Sequence, residues 1–119
     1  MSNIEDTNKI DALGIDKECD YVILKIFDHL NWEDEETHLI TLQEKINTYL
    51  SAIESGEIYE IYPKAKNKIF LLSINFLETL TDNAHKFLFT VANILNDAGY
   101  KFEYQVEKPY KLRCIPLID

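Results

Sequence analysis

Two helix-like segments, each placed between strand-like apolar runs, constrain the fold of this chain most. Within these segments apolar residues recur every three or four positions, which predicts amphipathic helices. The flanking runs either are rich in β-branched and aromatic residues or alternate apolar with polar side chains, which predicts strands. The predicted strands span 9–15, 21–27, 68–76 and 101–107, and the predicted helices span 32–55 and 82–98.

The order of these elements, β-β-α-β-α-β, determines the expected fold class. A strand, a helix and a second strand in succession imply parallel neighbours that are joined by a right-handed crossover. With only two helices, both can lie on the same face of the sheet. We therefore expect an α/β two-layer sandwich, in which a four-stranded mixed sheet carries two helices on one face and the first strand pairs antiparallel with the second.

Local signals give the expected helix ends and the expected core. Asn31 and Thr81 are the predicted N-caps, and Gly56 and Gly99 are the predicted residues just beyond the two helices. Gly14 interrupts the first strand and indicates a bulge there. The residues predicted to form the core faces are Val22, Leu24 and Ile26 on the second strand, Leu39, Leu42, Ile46, Tyr49, Leu50 and Ile53 on the first helix, and the buried stripe of Phe87, Leu88, Val91, Ile94, Leu95 and Ala98 on the second helix. On the last strand, Phe102, Tyr104 and Val106 are predicted to point to the core.

Length and composition indicate one globular domain that spans residues 1–119. Apolar residues make up 46% and charged residues 28% of the chain, as in folded proteins. We expect residues 1–8 to be a loose N-terminus, 56–67 an ordered connector and 109–119 a C-terminal extension. The chain has no long apolar run and its polar start lacks a signal sequence, so we expect no membrane partner and a cytoplasmic localisation.

Negative charge is concentrated in the first half of the chain. Residues 1–60 hold 15 acidic residues and four lysines, whereas residues 61–119 hold six acidic and eight basic residues. A net charge of −9 disfavours nucleic acid as a partner and favours a basic protein. The alternative interpretation is that the acidic surface serves only solubility. The predicted partner-binding residues are Asp16, Glu18, Asp20, Trp32, Glu33, Asp34, Glu35, Glu36, Glu57, Tyr59 and Glu60.

Motifs for catalysis or metal binding are weak. Asp28 and His29 could form an acid/base pair after the second strand, although we favour the interpretation that they belong to a polar loop that ends the strand. His38 and His85 each follow an acidic residue by three positions, a spacing that occurs in metal-binding helices. Both pairs fall in first helical turns, where acidic residues are expected anyway. The chain contains no nucleophile elbow and no Gly-rich phosphate loop, so we expect no catalytic residue, no metal ligand and no cofactor.

Several segments resemble a family of small acidic bacterial α/β proteins of unknown function. The resemblance is carried by Ile-Asp-Ala-Leu-Gly-Ile-Asp at 10–16 and by Asp-His-Leu-Asn-Trp at 28–32, with further similarity at 42–47, 55–59 and 98–100. It covers roughly residues 4–107. This family has no established activity, so the resemblance implies no catalytic residue. As a small acidic α/β protein, the chain is also similar in general character to immunity proteins, which neutralise toxins of bacterial competition systems.

Three hypotheses follow for the function. The first is a non-catalytic protein-binding module, most concretely an immunity protein whose acidic surface covers a basic toxin domain, for example that of a nuclease. The second is a homo-oligomeric structural protein whose strand edge or apolar tail pairs between subunits. The third is a small metal-dependent enzyme that uses Asp28, His29, Glu35 and His38, which would require these side chains to converge in a pocket.

Overall fold

The computed structural model of the protein describes residues 12–16 and 20–107. Its strands and helices are β1 (Ala12–Asp16), β2 (Tyr21–Asp28), α1 (Glu35–Glu54), α2 (Glu57–Ile61), β3 (Ile69–Phe76), α3 (Asp82–Asp97) and β4 (Lys101–Val106). The four strands form one sheet in the order β1-β2-β3-β4, in which β1 is antiparallel to β2 and the other neighbours are parallel. The predicted α/β class, the mixed sheet and the antiparallel pairing of the first two strands are confirmed.

One face of the sheet forms the core together with the inner sides of α1 and α3. Alternate residues of β2 and β3 point to this face because successive strand residues point to opposite sides. Both helices contribute to the same apolar cluster, so the molecule has two layers. The most buried members of this cluster are Val22, Leu24, Ile26, Leu42, Tyr49, Ile58, Ala65, Ile74, Phe76, Ala84, Leu88 and Leu95. Each fully buried aliphatic or aromatic side chain contributes about 1.5–3 kcal/mol to the transfer free energy of folding.

The N-cap of α1 is Asp34, so the prediction of Asn31 was wrong. Asp34 Oδ1 accepts a hydrogen bond from the Thr37 amide at 3.2 Å. Asn31 Oδ1 instead accepts from the Glu33 amide at 3.0 Å, which closes a turn just before the helix. Both side chains are good acceptors for a free amide, and the turn at residues 31–33 delays the start of the helix by three residues. The predicted cap of α3 at Thr81 is confirmed.

The connector between α1 and β3 is ordered, as predicted, and it contains helical turns that the sequence left ambiguous. It consists of α2 and a 3-10 turn at Pro63–Ala65. Ile58 and Ala65 are fully buried, and the ring of Tyr59 contacts that of Phe70 with their centroids 6.2 Å apart. The connector therefore adds to the core and is a third, short helical element on the helical layer.

Three local predictions were wrong. The pairing of β1 with β2 runs without interruption through Gly14, so no bulge is present there. Ile94 is 57% exposed and Ala98 is exposed, because Val91 and Leu95 occupy the core side of α3. Tyr104, by contrast, lies on the core side of β4 as predicted, opposite Ile74, and it is 41% exposed because β4 lies at the edge of the described sheet. Among the described residues, no helix combines the length and apolarity that crossing a bilayer requires.

Gly99 should be sensitive to substitution because its φ is +91°. A Cβ atom is disfavoured in this region even where space is open, so Gly99→Ala should lower the free energy of unfolding by about 1 kcal/mol. Urea unfolding followed by far-UV circular dichroism measures the change. Gly14→Ala is the control, because a Cβ at Gly14 meets no atom within 4 Å and its φ is not positive. Equal losses in the two variants would contradict this assignment.

Candidate functional site

His38 and Asp28 form a buried pair where β2 ends and α1 begins. His38 Nε2 lies 2.6 Å from Asp28 Oδ2, and the two side chains are 2% and 0% exposed. The other ring nitrogen, Nδ1, lies 2.9 Å from the carbonyl oxygen of Asn31. Because a carbonyl oxygen can only accept, Nδ1 carries a hydrogen and donates it. One further proton lies in the short hydrogen bond between the imidazole and the carboxyl group.

Trp32 covers the imidazole ring of this pair. Its ring stacks on the His38 ring with the centroids 3.6 Å apart and an interplanar angle of 19°. Asp28 Oδ1 accepts from the Leu30 amide at 3.1 Å, so all four polar atoms of the His38–Asp28 pair have partners. Neither ring nitrogen is free to accept a proton from a bound molecule. In this geometry the pair joins the end of β2 to α1 and is poorly placed to act as a general base.

The pairings that the sequence suggested for these residues are not formed. His29 is exposed, and Asp28 pairs with His38 instead. Glu35 does not pair with His38 but accepts a hydrogen bond from Asn83 Nδ2 at 3.0 Å. The reason is the turn after β2, which folds the inner side of α1 over the strand end. Among the described residues, no group of three or more His, Cys, Asp or Glu side chains is arranged to hold a metal ion.

Glu35 links the first turn of α1 to the start of α3. Hydrogen bonds from the side chains of Thr81 and Asn83 lower the pKa of the Glu35 carboxyl below its ordinary value of 4.5. Thr81 also accepts from the Ala84 amide, and so it caps α3 while it contacts Glu35. The two helix starts are therefore held together by polar contacts at the surface.

A group of seven carboxylates lies at one end of the molecule, which we call the acidic end. It is the end where β2, β3 and β4 finish and where α1 and α3 begin, because parallel strands and their crossover helices alternate in direction. Its exposed or half-buried carboxylates are Glu33, Asp34, Glu35, Glu36, Glu78, Asp82 and Glu107. In the described part of the chain, Lys86 in the second turn of α3 is the single lysine or arginine close to this end.

The other predicted partner-binding residues lie at the opposite end of α1, about 30 Å away for a helix of this length. Glu57, Tyr59 and Glu60 are on α2, and Asp20 precedes β2. Lysines at positions 64, 66, 68 and 101 share this end, and Lys68 Nζ lies 2.5 Å from Asp20 Oδ1. Asp16 ends β1 at the same end, and Glu18 lies outside the described residues. The predicted binding surface is therefore divided, and only the part from Trp32 to Glu36 lies at the acidic end.

The opposite end also contains a tyrosine with a shifted pKa. Burial raises the pKa of the Tyr100 hydroxyl, and the nearby Glu54 and Tyr59 raise it further. The ring of Tyr100 contacts that of Phe70 edge-on, with the centroids 6.3 Å apart. The raised pKa favours the neutral form of the Tyr100 hydroxyl, and the half-buried side chain packs against the core.

The sheet face away from the helices carries a polar network that sequence reasoning missed. Lys25 Nζ donates to Ser73 Oγ at 2.9 Å and to Asn75 Oδ1 at 3.0 Å. Ser73 Oγ donates to Glu103 Oε2 at 2.9 Å, and Gln105 Nε2 donates to Asn75 Oδ1 at 3.0 Å. The network thus crosses β2, β3 and β4. Polar residues spaced by two on three predicted strands were the available signal, but only the strand order shows that they are neighbours.

A second feature that sequence reasoning missed is a lysine within the apolar stripe of α1. Lys45 is fully buried, and its ammonium group lies 5.8 Å from the centroid of the Tyr49 ring, within range of a cation–π contact. The Tyr49 hydroxyl donates to the backbone oxygen of Lys25 at 2.5 Å. The position of Lys45 three residues after Leu42 and one before Ile46 was the signal that it faces inward.

The surface of the molecule contains two cavities with volumes of about 320 Å³ each. One lies between α1 and α3 and is mainly apolar, with Ile46, Leu50, Phe87 and Ile94 among its lining residues. The other lies beside the His38–Asp28 pair and is lined by seven residues: His29, Leu30, Asn31, Asp34, Thr37, His38 and Thr41. Both ring nitrogens of His38 are already hydrogen-bonded within the chain.

Comparison with known proteins places the chain in a family. Residues 1–108 match a family of unknown function, DUF6572. The protein belongs to this family. No curated protein and no solved structure matches the chain. The expected membership of a family of unknown function is confirmed, residues 109–119 lie beyond the match, and the similarity to immunity proteins stays a prediction.

Breaking the His38–Asp28 pair should destabilise the fold. Asp28→Ala leaves His38 Nε2 buried without a partner, so the free energy of unfolding should fall by about 3 kcal/mol. The matched control is His29→Ala, an exposed neighbour, which should change it by less than about 0.5 kcal/mol. Both are measured by urea unfolding with far-UV circular dichroism. An Asp28→Ala protein as stable as the control would show that the pair carries no stability.

The contact of Glu35 with α3 should make stability depend on pH. A lowered folded-state pKa stabilises the protein above the unfolded value of 4.5, and this contribution is lost as the pH falls through the folded value. At pH 7, Glu35→Gln should therefore lower the urea midpoint more than Glu36→Gln, although both remove an acid from the first turn of α1. The difference should shrink as the pH is lowered below 4.5. A difference that is independent of pH would refute the ionic origin of the contact.

Proposed function

We propose that this protein is a non-catalytic protein-binding module that uses its acidic end to bind a basic protein. The most concrete form of this function is that of an immunity protein, which neutralises a bacterial toxin by occlusion. The observation that carries the proposal is the charge distribution at the acidic end, where seven carboxylates are accompanied by one lysine.

This charge distribution supports fast association with a basic partner. Like charges gathered on one end produce a field that reaches beyond the contact distance and orients an approaching protein. At physiological ionic strength the field decays over about 8 Å, so it acts mainly in the last stage of the encounter. The opposite end carries acids and lysines together and lacks such a field. The acidic end is therefore the better binding centre of the two.

Two of the carboxylates at the acidic end are well suited to contact a partner. Glu33 and Glu36 are exposed, and neither has a side-chain hydrogen bond or ion pair in the described structure. Asp34 and Glu35 already hold the start of α1 through Thr37 and Asn83. The free carboxylates are thus presented on a turn that is fixed before binding, which reduces the entropic cost of association.

The buried His38–Asp28 pair supports binding rather than chemistry as the role of this region. Its polar atoms are satisfied within the chain, and Trp32 covers the imidazole ring. The pair holds the turn at residues 31–33 and the start of α1 against the end of β2. Occlusion of a basic surface, such as the cleft in which a nuclease binds phosphate groups, needs only a rigid acidic surface of this kind.

Charge reversal at the two ends of α1 tests the proposal. The partner is first captured from a lysate of the source cells at low salt, identified and purified. The association rate constant should then fall about tenfold for the double variant Glu33→Lys/Glu36→Lys, and the effect should fade at high salt. Glu57→Lys/Glu60→Lys changes the net charge equally at the opposite end and should alter the rate much less.

Two results would argue against the proposal. The first is that no basic protein is captured at low salt. The second is that both double variants slow association equally, which would assign the effect to net charge alone. Circular dichroism spectra of the variants establish that each keeps its fold, because lysines near a helix start cost only about 0.3–1 kcal/mol. The immunity role additionally requires that co-expression of the chain protects cells from the captured partner.

A further inference from the structure

The two long helices leave an apolar groove between them. This groove, which we call the interhelical groove, is the cavity of about 320 Å³ between α1 and α3. Its lining residues recur every three or four positions on each helix, as expected where two neighbouring helices each present one side. The buried apolar ones are Ile46, Val91 and Leu95, and the half-buried or exposed apolar ones are Leu50, Phe87 and Ile94.

Large apolar side chains in and beside the interhelical groove are exposed. Ile94 lines the groove and is 57% exposed. Ile40 is 51% exposed and lies seven residues before the groove-lining Asn47, which places it on the same side of α1 and nearer to the acidic end. Exposed apolar side chains beside an apolar cavity are typical of a surface that binds another molecule.

Carboxylates flank the interhelical groove along both helices. Residues that lie three, four or seven positions from a groove-lining residue share its side of the helix. The exposed charged residues at these spacings are Glu36, Glu44 and Glu54 on α1 and Lys86 and Asp97 on α3. Four carboxylates therefore accompany one lysine, and the negative charge of the acidic end continues along the groove.

We propose that the interhelical groove binds an amphipathic helix of the basic partner. Apolar side chains of that helix enter the groove, and its lysines or arginines lie beside the flanking carboxylates. The inference rests on the proposed function, since it takes the partner to be the basic protein that the acidic end attracts. The acidic end then speeds the encounter, and the groove supplies the short-range apolar contact that prolongs the complex.

A helix fits the interhelical groove better than an extended segment does. The backbone groups of α1 and α3 bond within each helix, so the groove offers only side chains to a ligand. An extended segment would leave its own N–H and C=O groups without partners there, whereas a helix satisfies them internally. The groove-lining positions of α1 span 43–50, about 10 Å along the helix axis, which matches two turns of a bound helix.

The charge beside the interhelical groove disfavours a second copy of this chain as its occupant. Two copies packed groove to groove would bring together four carboxylates from each chain, with one lysine each to offset them. Like charges that face each other across an interface are unfavourable. A helix that carries basic residues beside its apolar side has the complementary charge.

Binding of a synthetic helix to the full-length protein tests the proposal. The probe is a fluorescein-labelled peptide of about 18 residues, long enough to form a helix, with leucines at spacings of three and four and lysines at most other positions. A second peptide carries glutamates in place of the lysines. Fluorescence anisotropy at low salt should show binding of the basic peptide and at least tenfold weaker binding of the acidic one.

Two serine variants on α3 determine where the basic peptide binds. Ile94→Ser should weaken its binding about tenfold, because it removes an exposed apolar side chain from the groove. The matched control is Phe89→Ser, since Phe89 is 70% exposed on the same helix but lies outside the residues that line the groove. This variant should bind the peptide as the parent protein does. Circular dichroism spectra establish that both variants keep their fold.

Four results would overturn the proposal. The first is that the basic peptide does not bind, a result that also follows if another segment of the full-length chain fills the groove. The second is equal binding by the parent protein, Ile94→Ser and Phe89→Ser. The third is equal affinity for the basic and the acidic peptide. The fourth is a dimer that light scattering detects and that Ile94→Ser dissociates, because a second copy would then occupy the groove.

The partner purified for the charge-reversal experiment separates this inference from the proposed function. Ile94→Ser should raise the dissociation rate constant about tenfold and leave the association rate constant nearly unchanged, since apolar contacts act only at short range. If Glu33→Lys/Glu36→Lys slows association while Ile94→Ser leaves dissociation unchanged, the groove assignment fails and the proposed function stands. If no basic partner is captured, the proposed function fails, and the peptide measurement still decides whether the groove binds a basic helix.

Discussion

The structure depends on the one-sided apolar face of its sheet. Alternate residues of β2 and β3 are buried on the side that α1 and α3 cover, and the other side carries the polar network around Lys25. Both crossovers must therefore lie on the same side, because only that side can bury helices without leaving polar groups unsatisfied. Since parallel strands all run in one direction, the starts of α1 and α3 come together at one end of the molecule.

This arrangement explains why the acidic residues of the two helix starts form one negatively charged surface. Acids in the first turn of a helix are favourable for the helix itself, and two such turns meet at the acidic end. The contact between Glu35 and Asn83 joins the turns, and the His38–Asp28 pair attaches one of them to the end of β2. A surface that local helix energetics favours thereby becomes a fixed surface with one sign of charge.

The sequence predicted the element order, the mixed sheet, the buried face of β2, and the stops at Gly56 and Gly99, since these follow from local periodicity and backbone preference. It was less accurate where two nearby groups compete for one role. Asn31 and Asp34 are both good caps, and the sequence does not rank them. Ile94 continues the stripe of α3 by its spacing, yet it is exposed and lines the cavity between α1 and α3.

What the sequence determined by itself is a small acidic α/β chain whose first half holds most of the negative charge. Tertiary structure alone decided which histidine pairs with Asp28, because that choice depends on how a turn brings α1 over a strand ten residues away. It also decided that the acids of Glu33 to Glu36 and those of α2 lie at opposite ends. Proximity in sequence does not fix proximity in space, since a helix of 20 residues carries its two ends apart.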